Sequence, residues 1–279
     1  MKIKLTDIAK TFPSKNGTLT ALEEINLEIS EGEFVCLVGP SGCGKSTLLN
    51  IIAGFDRPDE GSLVTNGRPA NGARTSCVMI FQEPALFPWL TARKNVEFGL
   101  KMAGMPKKER TERALAYLKM VHLSRFVNSN IHELSGGMKQ RVALARALAL
   151  NPDVLLMDEP FAALDAQTRD MLHEELTEIW SKTKKTILFV THNVREAVHL
   201  GDRVLVLSAR PGRIKSEFKI DLVRPRDPAN PDVGRITSLI MKELKEEVEK
   251  IAKEEFDSDW AASKATILHS ADHSMGSGI

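Results

Sequence analysis

The chain has 279 residues, of which 42% are hydrophobic, 27% charged and 5% aromatic. That is enough to bury a core, and about two domains by length. Its 38 Lys plus Arg against 37 Asp plus Glu leave a formal charge of +1, which argues against a protein whose main task is coating nucleic acid or adhering to acidic membrane.

In the first third, alternating segments such as INLEI (Ile25 to Ile29) and turns at Gly17, Gly61 and Gly67 predict antiparallel strands, with a loop from Pro13 to Thr20. The apolar runs FVCLVG (Phe34 to Gly39), VMIF (Val78 to Phe81), VLLMD (Val154 to Asp158), TILFVT (Thr186 to Thr191) and VLVLS (Val204 to Ser208) read as strands buried on both faces of a mostly parallel sheet. Helical patterns at Lys45 to Ala53, Ala166 to Lys182 and Asn193 to Leu200 alternate with them, which predicts an α/β core. Between VMIF and VLLMD, from about Thr91 to Leu150, ERTERALAYLKMV and MKQRVALARALAL predict an all-helical insert.

After Ile214 comes a Pro/Asp-rich link, VRPRDPANPD. A helix then carries Ile236, Ile240, Leu244, Val248 and Ile251 on one stripe, expected to pack on its own domain, and the closing HSMGSGI is expected to be disordered. Cys36, Cys43 and Cys77 form no CxxC pair and build no disulfide framework. The opening MKIKLTDIAK lacks the apolar core of a signal peptide, and no run approaches the ~18 apolar residues of a spanning helix. A soluble cytosolic chain is expected, with any membrane crossing left to another polypeptide.

GPSGCGKST follows the first buried strand and opens a helix, the context in which G-x-x-x-x-G-K-[ST] cradles phosphates. Gly39, Gly42 and Gly44 let the backbone curl around Pro40, Ser41 and Cys43 so that N–H groups turn inward, and the helix start adds partial positive charge. Lys45 would reach the β- and γ-phosphates, Ser46 would ligate Mg²⁺ and Thr47 would hydrogen-bond a phosphate. No N-K-x-D element for guanine is found.

VLLMDEP ends a buried strand with adjacent carboxylates. Asp158 would hold Mg²⁺ through its water shell and Glu159 would polarise an attacking water. His192 and Gln82 also stand at strand ends. His192 could hold the γ-phosphate and assist Glu159, and Gln82 could reach the metal or the water. The other six histidines, His173 and His199 among them, read as structural. Phe87, Pro88 and Trp89 on one loop are read either as a docking patch or as plugs of the local core.

LSGGMKQ (Leu134 to Gln140) opens another helix, with Ser135 as N-cap and Gly136 and Gly137 leaving first-turn N–H groups open. This second anion-binding tip suits a nucleotide held by another copy, which implies a head-to-tail dimer. GPSGCGKST, Gln82, LSGGMKQ, VLLMDEP, AALD (Ala162 to Asp165) and His192, in this order, resemble the ATP-binding cassette ATPases over about residues 1 to 215. ALFPWLT, NVEFGL and LSARPGRI resemble the ATPase subunits of nitrate, sulfonate and taurine importers.

The resemblance implies a RecA-like P-loop NTPase core with an antiparallel β subdomain, formed by residues 1–90 and 151–220. A helical signature subdomain follows at 91–150 and a terminal helix and tail at 221–279. It implies an ATPase using ATP and Mg²⁺, paired as a homodimer at the cytoplasmic face of the membrane. The partners would be integral membrane permease subunits, received by the region from about Gln82 to Phe98, and indirectly a solute-binding protein. By the same resemblance Ser135, Gly136 and Gly137 contact the γ-phosphate on the partner subunit, Asp165 links the two composite sites, and Phe12 stacks on adenine where the family often has Tyr. Another solute or an exporter is the alternative within this class. DNA-associated cassettes are disfavoured, because no long coiled coil or Cys cluster lies between the motifs.

Overall fold

The computed structural model describes residues 2–14, 17–70, 72–73, 76–227 and 229–272, with side chains described as far as Lys253. The closing HSMGSGI, expected to be disordered, lies outside the described residues.

Two sheets carry the fold. Strands β1 (Ile3–Ser14), β2 (Gly17–Ile29), β4 (Glu60–Thr65) and β5 (Arg68–Pro69) form an antiparallel sheet of order β2-β1-β4-β5. The second sheet has the order β10-β9-β3-β8-β7-β6, from β3 (Phe34–Val38), β6 (Cys77–Ile80), β7 (Val154–Asp158), β8 (Thr186–Val190), β9 (Arg203–Leu207) and β10 (Ile214–Lys219). All its pairings are parallel except β9 with β10.

Alternation along the parallel strands divides the interior in two. Val35, Leu37, Leu156, Leu188 and Leu205 face a core shared with the antiparallel sheet and helix α1 (Lys45–Ala53). Phe34, Cys36, Leu155, Phe189 and Val204 face the other core, shared with α2 (Ala92–Met102), α3 (Lys107–Met120), α4 (Gly136–Ala149), α5 (Ala166–Thr183), α6 (Val194–Leu200) and α7 (Pro231–Asp272). Each such buried side chain contributes roughly 1.5–3 kcal/mol over its exposed state.

Four expectations are corrected. The stretch read as a loop from Pro13 to Thr20 is largely strand, since Pro13 and Ser14 pair with Thr18 and Gly17. Phe81 lies beyond β6, 41% exposed and stacked on Phe55, because the sheet ends there and the two rings cover each other. Residues 214–219, for which no strand was expected, form the edge strand β10, and the link VRPRDPANPD follows it. The burial of β10 alternates weakly, as an edge facing solvent allows.

The terminal stripe keeps Ile240 buried and Ile236 and Leu244 packed partly buried on the core, as expected, but departs from the expectation at Val248. Val233, Thr237, Ile240 and Glu247 are buried, whereas Val248 is 48% exposed. The buried face also takes in a carboxylate: Glu247 accepts from the Ala209 N–H at 2.8 Å and pairs with Lys215 at 3.1 Å and Lys250 at 2.6 Å.

The link before α7 is anchored by Arg226. Its buried guanidinium donates to the carbonyls of Val198 (2.7 Å) and Gly201 (2.6 Å), satisfying acceptors left over where α6 ends, and to that of Ile220 (3.1 Å) just after β10. Burial and the neighbouring Arg224 push its pKa down to about 10.

Candidate active site

Parallel pairing brings the carboxyl ends of β3, β8, β7 and β6 to one edge of the sheet, the edge where α/β proteins bind ligands. The loop after β3 turns through Gly42 (φ 74°) and Gly44 (φ 95°) into α1. Gly44 is required twice over: its backbone is left-handed, and a Cβ there would lie 2.6 Å from Leu22 Cδ2 and 2.7 Å from the Ala21 carbonyl oxygen. Gly39 has no such backbone, but a Cβ would press on Cys43 Sγ at 2.7 Å. The buried Lys45 ammonium folds back into this loop and donates to the carbonyls of Gly39 (2.9 Å) and Pro40 (2.8 Å).

Ser46, in the first turn of α1, faces the Asp158 carboxylate at the end of β7. Burial pushes the Asp158 carboxyl above the ordinary carboxylate range, with Glu159 adding to the rise, while the Ser46 hydroxyl and Lys45 oppose it. A half-buried carboxylate beside a hydroxyl and a lysine is a site that gains from a hard divalent cation. Among the described residues no cluster of three or more His, Cys, Asp or Glu side chains could hold a metal unaided. Mg²⁺ commonly takes one or two protein oxygens and completes its octahedron with phosphate and water, so Ser46 and Asp158 are the residues that would hold it.

Glu159 follows with φ 44°, a strained left-handed conformation for a residue with a Cβ, fixed by its N–H donating to the Val190 carbonyl at 3.0 Å. Its Oε2 lies 2.8 Å from Nδ1 of His192 on the loop after β8. Gln82, beyond β6, is exposed at the same edge. Thr47 continues α1 as a half-buried residue of its first turn, and Ser41 is exposed on the loop.

The structure therefore brings the loop, Asp158, Glu159 and His192 together. Ser135, Gly136, Gly137, Asp165 and Phe12 lie elsewhere. Ser135 caps α4 by accepting from the Met138 N–H at 3.3 Å, and it and Gly136 are exposed. Gly137 is buried where this tip packs against α5, so closely that a Cβ there would meet Thr168 Cγ2 at 2.6 Å. Asp165 caps α5, and the hydrogen bonds it accepts from Thr168 hold its carboxyl below the ordinary range. Phe12 sits half-exposed on β1 with the Lys10 ammonium 5.4 Å above its ring, so it is not a core residue.

The Phe87 loop divides the two readings offered for it. Phe87 packs on Phe98 at 4.3 Å between ring centroids and is half-buried, whereas Trp89 is 76% exposed. A cavity of about 200 Å³ opens beside them, lined by Phe87, Phe98, Gly99, Ala143, Arg146 and Leu150. Two residues that pattern-reading did not select hold this loop. Buried Asn95 accepts from the Phe87 N–H (2.9 Å) and donates to the carbonyls of Phe87 (3.2 Å) and Thr91 (3.1 Å). Arg146 donates to the carbonyls of Ala85 (2.8 Å) and Pro84 (3.0 Å). A polar residue on the buried side of an amphipathic helix was the available signal for Asn95.

A profile of the family described as "ABC transporter" matches residues 22–162. The nitrate import ATP-binding protein of Synechocystis is 51% identical over 231 residues, covering 83% of this chain and 86% of that one. The chain belongs to the ABC transporter family. The taurine import ATP-binding protein of Rhizobium johnstonii is 45% identical over 251 residues, covering 89% of this chain and 95% of that one. A dimeric ATP-binding cassette in a post-hydrolysis state, solved with ADP and Pi, superposes with a TM-score of 0.71 at 38% identity, over 79% of this chain and all of that one. The chain is thus an ATP-binding subunit of the ABC ATPase class, and its two-sheet fold is that of these cassettes. Among the described residues no helix is long and apolar enough to cross a membrane.

Proposed function

We propose that this protein is the ATP-hydrolysing subunit of an importer for a small anion or zwitterion of the nitrate, sulfonate or taurine kind, and that ATP drives closure of a head-to-tail homodimer. The observation that carries the reading is the convergence of Lys45, Ser46, Asp158, Glu159 and His192 at one sheet edge, while the Ser135 tip lies exposed on another helix. The names of the relatives support the solute class.

In this reading residues 1–90 and 151–220 are the nucleotide unit and 91–150 the signature unit, with 221–279 an appendage. Loop N–H groups from Gly39 to Thr47 enclose the phosphates, and Lys45 exchanges its bonds to the Gly39 and Pro40 carbonyls for phosphate oxygens. Ser46, Asp158 and Gln82 would hold Mg²⁺, which would offset phosphate charge in transfer. Glu159 accepts a proton from the attacking water, and His192, bonded to Glu159, assists it and holds the γ-phosphate. Phe12 offers its ring to adenine. Ser135, Gly136 and Gly137 complete the site of the partner copy, and Asp165 joins the two sites.

The exposed Trp89 and the cavity beside Phe87 receive a short helix of a membrane permease, which places the ATPase peripherally on the cytoplasmic face. Solute is recognised by the permease and a capture protein. Closure of the dimer then moves the Phe87 loop, so coupling is conformational. The test is to purify the intact complex and measure ATPase with capture protein plus nitrate, taurine or an alkanesulfonate. One of these should stimulate turnover severalfold; equal rates with all of them and with none would overturn the solute class.

A further inference from the structure

Behind the loop carrying His192 lies a buried ionisable pair that the proposed chemistry does not use. Glu196, in the first turn of α6, and His173, in the second turn of α5, have side chains only 6% and 8% exposed. His173 Nε2 lies 2.5 Å from Glu196 Oε1. The other carboxylate oxygen, Oε2, accepts from the Thr191 hydroxyl. That hydroxyl in turn accepts from the Asn193 N–H at 2.9 Å, and Asn193 Oδ1 caps α6 by accepting from the Arg195 N–H at 3.0 Å. His192 is therefore held between two residues tied to one hydroxyl, while its own side chain is 64% exposed. Glu159, Phe161, Thr191, His192, Asn193 and Glu196 line one cleft.

The chemistry of these groups fixes the direction of the chain. The Thr191 hydroxyl donates its single proton to Glu196 Oε2. With that proton committed to Glu196, the hydroxyl lone pairs face Asn193, and the backbone on both sides of His192 is set. For packing alone, an apolar pair of the same volume would serve at least as well as a buried acid and imidazole. We infer that Glu196, held by His173, is a positioning residue for His192, acting through the Thr191 hydroxyl. Because His173 rides on the helix capped by Asp165, the same contacts tie His192 to the helix that begins at the dimer-facing loop of the proposed function.

This inference rests on the proposed role of His192, and the experiment separates the two. Steady-state ATPase of the full chain is measured for Thr191→Val, Thr191→Ser and Glu196→Met, each alone and with His192→Ala. Thr191→Val and Glu196→Met should lower kcat between about 10- and 100-fold with little change in KM for ATP, the scale of a small misplacement of a reacting group. Thr191→Ser, which restores the hydroxyl, should recover most of the loss. In the His192→Ala background none of the three should lower kcat further, since the group they position is gone. Full turnover of Thr191→Val, or the same fold loss with and without His192, overturns the inference while leaving the role of His192 standing. Full turnover of His192→Ala alone overturns that role, and this inference with it.

Discussion

Glu159 and His192 lie 33 residues apart in the chain yet meet at 2.8 Å, Oε2 to Nδ1. They meet because β7 and β8 are parallel neighbours, with Asp158 in register with Val190, so the residues that follow each strand emerge side by side. The strained φ of Glu159 aims its carboxylate out of the strand direction and toward that partner.

Replacing Glu159 by Gln keeps the shape of this contact and removes the base. ATP binding should persist while hydrolysis slows by roughly 10²–10⁴-fold, the scale of a lost general base. Equilibrium binding of a fluorescent ATP analogue together with phosphate release measures both. Turnover within a factor of two of the unmodified protein would remove Glu159 from the chemistry.

How much of this was legible in advance divides along physical lines. The parallel strands announced themselves because burial on both faces makes continuous apolar runs, as in Val154–Asp158 and Thr186–Val190. Gly44 and Lys45 were legible because a phosphate cradle demands particular residue types at fixed spacing. The edge strand β10 was not, since one solvated face leaves IKSEFK with no apolar run. Glu247 and Glu196 were not legible either. Nothing local marks a buried carboxylate whose partners, Ala209 and His173, lie 38 and 23 residues away.

Ser135 tests whether the site is shared between copies. It is exposed at the α4 tip, so Ser135→Arg should fold and bind ATP as a single copy. In a Glu159→Gln background, where hydrolysis cannot reopen a dimer, ATP should drive dimerisation of the parent and not of the Ser135→Arg variant. Sedimentation velocity with and without ATP reads the difference. Nucleotide-dependent dimers of the double variant would count against a composite site.

Trp89 tests the docking surface. Its ring stands on Phe87 at 5.7 Å between centroids, and 76% of the residue is open to solvent. An exposed aromatic beside an apolar cavity gives up little intramolecular packing when mutated, but would be buried by a partner. Trp89→Asp should leave the melting temperature within about 2 °C, on the grounds that surface changes are worth within ±0.5 kcal/mol. Recovery of permease in a co-purification should fall at least tenfold. Unchanged recovery would move the docking surface elsewhere.

Glu247 ties α7 to the rest of the fold, and its contribution depends on pH. Burial acts to raise its pKa but is outweighed by bonds from Lys250, the Ala209 N–H and Lys215, so the carboxyl sits below its ordinary 4.5 in the folded state. The folded form is then favoured by the ionised carboxylate. That stabilisation is complete above the unfolded value of 4.5 and is lost as pH falls through the lower folded value. Glu247→Gln should cost about 1.5–3 kcal/mol at pH 7, the usual worth of hydrogen bonds to a charged group. The gap from the unmodified protein should close as pH falls below 4.5. Urea unfolding of both proteins at several pH values measures it; a gap that is constant with pH, or that widens on acidification, would show that the carboxylate charge is not what holds α7 in place.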